Sequence, residues 1–227
     1  MGFQAVIFDM DGVLIDSEPF YLKERYKFIK NKNPSISIEK LFPVVGLSTE
    51  DAWKYIASIV HNGQSWEELL KEYTPIAETA YLKADYKKLL RGDVLETLQN
   101  LSEQGYRLGV ASANSQILIR RILKQTDAFS FLDVIISGEE CRENKPAPDI
   151  YLKAAEELGI CRSKCFVVED SFCGIMAAKR ANMTVAALSD KRFSFQQERA
   201  DYQINTIYEI IKILRKVDEN ENSYFEQ

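Results

Sequence analysis

The feature that most constrains this chain is a series of short apolar runs, each closed by polar residues and set apart by helix-length stretches. AVIF at 5–8 is the first, followed by LGVA at 108–111, VII at 134–136, CFVV at 165–168, VAAL at 185–188 and a weaker YQI at 202–204. Strands that are apolar throughout, without alternation, are buried on both faces, as in parallel sheets, and parallel neighbours need crossovers of helical length. The amphipathic stretches between the runs supply those crossovers. The pattern predicts an α/β fold, a Rossmann-like, doubly wound, mostly parallel sheet with helices on both faces. Ligands of such sheets bind outside the carboxyl ends of the strands, so the residues closing each run carry the functional information.

Between residues 18 and 90 the alternation stops. Helical patterning covers 20–30, 49–60, 66–73 and 76–90, and Ser65-Trp-Glu-Glu68 predicts a capping box opening the third helix. A helical block inserted directly after the first strand predicts a discontinuous core domain, residues 1–16 and 90–227, and an α-helical cap domain, residues 17–89, forming a lid above the end of that strand. At the other end, Thr206-Ile-Tyr-Glu209 predicts a second capping box, a final helix to about Lys216 and a frayed acidic tail at 218–223.

Charge and composition remove several classes of function. Lys and Arg number 29 against 34 Asp and Glu, a net charge of −5, and no basic run suits a phosphate backbone, so nucleic acid is not an expected partner. No apolar run is long enough to span a bilayer and no signal peptide precedes the first strand; the expectation is a cytoplasmic monomer with no membrane partner. The one histidine, His61, lies in a polar HNGQ stretch read as a loop, which argues against a Ser-His-Asp triad or an H-E-x-x-H zinc site. Cys141, Cys161, Cys165 and Cys173 lack the partners of a zinc site and are read as reduced thiols.

Carboxylates and lysine remain. Asp9 and Asp11 close the first run at a Gly12 turn; the glycine comes too early for a calcium-binding EF-hand loop. The second run ends in Ser112-Ala113-Asn114, whose hydroxyl and backbone N–H groups suit an anion, with Ser115 as cap of the next helix. Lys145 stands between Asn144 and two prolines that fix its direction, with Asp149 expected to cap the following helix. The fourth run ends in Glu169 and Asp170. Acids gathered at one sheet edge require a cation, and hard oxygen donors with open positions select Mg²⁺, which commonly takes a phosphate oxygen as a further ligand.

Taken together, FDMDGVLIDSE, VASAN, KPAPDIY and VVEDSFCGIMAAKRANM resemble the four ordered motifs of haloacid dehalogenase superfamily phosphatases, and the helical block resembles the small cap of the branch containing β-phosphoglucomutase and phosphoglycolate phosphatase. The resemblance implies Asp9 as nucleophile forming an aspartyl-phosphate and Asp11 as general acid and base. It implies Mg²⁺ held by Asp9, the Asp11 carbonyl and Asp170, with Glu169 holding a metal-bound water. It further implies Ser112, Ala113, Asn114 and Lys145 on the phosphate. The substrate would be a small phosphorylated metabolite. The mutases of that branch carry a histidine and a cap-loop arginine where this chain reads Pro19-Phe20-Tyr21 and Gly46-Leu47-Ser48-Thr49. The expectation is therefore hydrolysis, without a second cationic phosphate grip, with a sugar-phosphate mutase as the alternative. A phospho-accepting receiver domain fits poorly because its phosphorylated aspartate lies on a later strand than its acid pair. Selectivity is expected from residues 21–25, residues 47–51 and Lys83. Asn182, where the family favours glycine, tolerates the left-handed conformation required there.

Overall fold

The structure, a computed structural model, describes residues 2–193 and 196–225. Six strands, β1 (Ala5–Phe8), β2 (Arg107–Ser112), β3 (Val134–Ser137), β4 (Cys165–Glu169), β5 (Thr184–Leu188) and β6 (Tyr202–Ile204), form one sheet in the order β3-β2-β1-β4-β5-β6. Every pairing is parallel, stricter than the expected "mostly". The chain builds outward from β1 to β3, then crosses back to lay β4 on the other side of β1. That reversal opens a crevice at the end of β1.

Alternation along β1 divides the core. Val6 and Phe8 face a cluster built with α4 (Val94–Glu103), α5 (Gln116–Gln125) and α8 (Glu209–Phe225), while Ala5 and Ile7 face one built with α6 (Asp149–Leu158) and α7 (Phe172–Arg180). Buried on both faces, the strand has little freedom to shift. Phe8 pairs with Val110 and Val168, so the residues just beyond all three come level at the sheet edge.

The remaining helices, α1 (Glu18–Lys32), α2 (Thr49–Val60) and α3 (Trp66–Lys83), surround a hydrophobic cluster of their own. Trp53 and Tyr73 stack at 5.1 Å between ring centroids, and Phe28 meets Tyr73 at 5.4 Å. Chain packing returns to the sheet's cluster at Ala84 and Tyr86.

Several expectations need correction. The segments 66–73 and 76–90 are one helix ending at Lys83, with Pro75 inside it. Leu69, Tyr73 and Ala77 keep four-residue spacing on the buried face across the proline, so packing outweighs the missing donor. The Ser65 capping box is present, with Glu68 N donating to Ser65 Oγ at 3.3 Å and Ser65 N to Glu68 Oε2 at 2.8 Å. At Thr206 the box fails, because its hydroxyl donates to the Glu209 carboxylate (3.4 Å) instead of capping a backbone N–H. The acidic tail is helical to Phe225. Asp218 anchors it, accepting from Gly2 N at 2.8 Å and Tyr106 Oη at 3.0 Å. Asp149 lies inside the first turn of α6 and accepts from Glu143 N (3.2 Å).

Candidate active site

Asp9 continues the β1 ladder by one residue, its N–H donating to Val168 O at 2.9 Å, which places a buried carboxylate at the mouth of the crevice. Lys145 reaches it from across the sheet. The ammonium donates to Asp9 Oδ1 at 2.5 Å, Glu169 Oε1 at 2.8 Å and Ala111 O at 3.1 Å, and sits 5.0 Å from the centroid of the Tyr151 ring. Burial works against the charged ammonium, yet Asp9 and Glu169 together hold its pKa well above the ordinary lysine value.

Glu169 is the anchor of this arrangement. Its Oε1 also accepts from Tyr151 Oη at 2.8 Å, and its Oε2 accepts from the N–H groups of Asp170 (2.9 Å) and Ser171 (3.1 Å) and from Ser171 Oγ (3.1 Å). Burial alone would raise its pKa; the adjacent Lys145 charge and these donors bring it below the usual value. Both carboxylate oxygens are therefore occupied by the protein, and the resulting charge positions Lys145. Gly174 makes room for it: a Cβ there would lie 1.6 Å from Glu169 Oε1.

Asp11 stands in a different environment. Ser17 Oγ donates to its Oδ1 at 2.7 Å and Asn114 Nδ2 to its Oδ2 at 2.5 Å. Burial raises its pKa, and the Tyr21 and Ser17 hydroxyls only partly oppose that. Asn114, expected on the phosphate, instead directs its amide at Asp11 and its backbone N–H at Ser112 Oγ (3.2 Å).

Asp9, Glu169 and Asp170 present carboxylate oxygens that all lie within 4.8 Å of one another. Burial first, then Glu169 and Asp11, push Asp9 up to about 8 despite Lys145, and Asp170 is raised well above its usual value by burial and by Glu169, Glu18 and Asp9. One ammonium does not balance this much negative charge, and oxygen-only donors on a rigid frame suit a hard divalent cation. The frame is tight: Gly12 has φ +78°, and a Cβ there would fall 1.9 Å from Asp170 Oδ2. Gln197 holds the Asp170 carbonyl from behind, with Nε2 donating at 2.6 Å.

A cavity of about 580 Å³ opens over these groups. Asp9, Asp11, Ser112, Ala113, Lys145 and Asp170 line its floor, and α1, the 44–50 segment and α2 form its roof. Of the residues expected to set selectivity, Tyr21, Arg25, Leu47, Ser48 and Thr49 face it, with Glu50. Leu22 is in the helical core, Lys23 and Lys83 are exposed, Glu24 pairs with Lys27, and Asp51 donates its N–H to the capping Ser48 Oγ and lines a separate cavity. Arg25 brings a guanidinium to the roof from α1. Sequence reading gave no role to Tyr151 and Ser17, although both lie within the quoted motifs, nor to Gln197 and Trp53 outside them; an aromatic or neutral polar residue carries no signal of its own until the fold brings it near the acids. His61 lies at the left-handed end of α2, away from the cavity, and Asn182 adopts φ 56° as expected. Among the described residues no helix is long and apolar enough to cross a membrane.

A doubly wound parallel sheet whose switch point carries clustered carboxylates, a buried lysine and a helical roof defines a class of Rossmann-like enzymes that work at the strand ends. The model of the haloacid dehalogenase-like hydrolase family matches residues 6–188, and the chain belongs to that family. Hexitol phosphatase B of Escherichia coli (strain K12) is 32% identical over 216 residues, 91% of this chain and 93% of that protein. A phosphorylated carbohydrates phosphatase of Thermotoga maritima is 30% identical over 183 residues, covering 79% and 82% of the two chains. In fold, the chain is similar to a β-phosphoglucomutase structure from Clostridium difficile, with a TM-score of 0.76 at 20% identity over 96% of this chain and 98% of that one.

Proposed function

We propose that the protein is a Mg²⁺-dependent phosphomonoesterase acting on a small phosphorylated metabolite through an aspartyl-phosphate on Asp9. The observation that carries this reading is the division between two neighbouring acids: Asp9 is held by the Lys145 ammonium, whereas Asp11 is held apart by the neutral donors of Ser17 and Asn114. The first environment suits an anionic nucleophile and the second a carboxyl group that exchanges protons. The relatives named as phosphatases of hexitols and phosphorylated carbohydrates support the substrate class.

In this scheme Asp9 attacks phosphorus in line while Asp11 gives its proton to the leaving oxygen; Asp11 then takes a proton from the water that cleaves the aspartyl-phosphate. Ser112 Oγ and the Ala113 N–H donate to phosphate oxygens, and Lys145 offsets repulsion between the phosphate and Asp9. Asp9, Asp170 and the Asp11 carbonyl would hold Mg²⁺, which when bound supplies positive charge to the phosphate oxygens. The helical unit over residues 17–89 acts as the lid that keeps bulk water from the cavity.

The test is release of inorganic phosphate from an aryl phosphate with and without chelator, for the wild type and Asp9→Asn. Hydrolysis lost on chelation and absent from a folded Asp9→Asn protein is expected; full Mg²⁺-dependent activity in that variant would refute the scheme. Arg25 keeps the mutase alternative in view, and a sugar 1-phosphate decides it: free phosphate supports hydrolysis, and accumulating 6-phosphate supports mutation.

A further inference from the structure

Glu18, Tyr21 and Arg25 share one face of α1 and all line the cavity. At 1.5 Å per residue, the stripe extends about 10 Å from the start of the helix, carrying Arg25 well away from Asp11. The Arg25 Nε is buried without a hydrogen-bond partner, and the guanidinium enters no ion pair among the described residues. The neighbouring neutral group is the Tyr73 hydroxyl, which interacts with the guanidinium and shares a hydrogen bond with Tyr81 Oη at 3.2 Å. The acids on the same walls do not neutralise it: Glu18 feels its charge without pairing, and Glu50 is taken by Lys54 at 2.5 Å. Val44, Leu47, Ala52 and Trp53 give the roof its apolar lining.

A guanidinium cannot shed its proton, and one without an anionic partner on a partly apolar wall is costly to keep. Its planar fork matches an oxyanion in two parallel hydrogen bonds. We propose that Arg25 binds an oxyanion, a carboxylate or a second phosphate, at the end of the leaving group remote from the scissile phosphate, making it the residue that selects doubly anionic phosphorylated metabolites. This inference rests on the phosphomonoesterase reading and narrows its substrate class.

The experiment compares kcat/KM of the full-length, Mg²⁺-loaded protein on matched substrates. One arm pairs 3-phosphoglycerate with glycerol 3-phosphate; the other pairs fructose 1,6-bisphosphate with fructose 6-phosphate. In one arm the wild type is expected to favour the doubly anionic member by about tenfold or more, and Arg25→Gln to lower that ratio by about 10–100-fold, the scale of a charge-assisted hydrogen-bonded pair. Arg25→Lys recovers part of the ratio, and the arm that responds identifies the oxyanion. A wild type that favours the singly anionic member in both arms overturns the proposal whether or not the variants fold, as does an Arg25→Gln protein whose ratio is unchanged. Aryl phosphate hydrolysis with no preference in either arm removes the role of Arg25 alone; no phosphate release from any substrate removes the phosphomonoesterase reading and this inference with it.

Discussion

Gly174→Ala sets two local effects against each other with opposite signs. Gly174 lies within α7 without a positive φ, so alanine fits the backbone, and helix propensity alone favours it by about 1 kcal/mol. Its Cβ, however, would stand 1.6 Å from Glu169 Oε1 and 1.9 Å from Cδ. A free glutamate would swing aside at little cost, but this one is fully buried and held by Lys145, Tyr151, Ser171 and two backbone N–H groups. Displacing Oε1 breaks at least the bonds from Lys145 and Tyr151, each to a charged group and worth roughly 1.5–3 kcal/mol. Net of the helix gain, the variant is expected to lose about 2–5 kcal/mol in urea unfolding. Phosphate release is expected to fall at least about tenfold, because Lys145 loses one of its two anionic anchors. A Gly174→Ala protein as stable as the wild type, with normal turnover, would refute the view that Glu169 is immobile and positions Lys145.

The metal-free protein is expected to lose stability as pH rises. Asp9 is pushed from 3.8 to about 8 by burial first, so between those values the folded state binds a proton that the unfolded chain has released; that contribution is complete below about pH 4 and gone above about pH 8. Urea unfolding in EDTA across this range measures the decline, Asp9→Asn should flatten it, and stability rising with pH would contradict it. Added Mg²⁺ should raise the melting temperature more at pH 8 than at pH 5, since a cation replaces the proton that the acids otherwise require. Lys145→Met leaves Asp9 and Glu169 facing each other without a cation; a loss of about 3–5 kcal/mol and of all phosphate release is expected, and a stable, active variant would exclude the proposed role of this ammonium.

Much of the fold was legible because each buried parallel strand writes itself locally as a continuous apolar run, and the polar residues closing the runs at Asp9, Ser112 and Glu169 marked the site. Where local rules failed, a longer-range contact had decided. The buried face of α3 continues through Pro75 because Leu69, Tyr73 and Ala77 pack together, and the acidic tail stays helical through Asp218, which bonds residues 216 and 112 positions away. The sequence by itself determined which groups are available for chemistry: two acids after β1, a serine at the end of β2, a proline-braced lysine and two acids where β4 ends. Only the tertiary structure decided their pairing, with Lys145 between Asp9 and Glu169 across 136 and 24 residues of chain, Asn114 turned to Asp11, and Arg25 set in the cavity roof. Burial and charge depend on neighbours in space, and strand order and the folding back of the helical unit bring those neighbours together from distant parts of the chain.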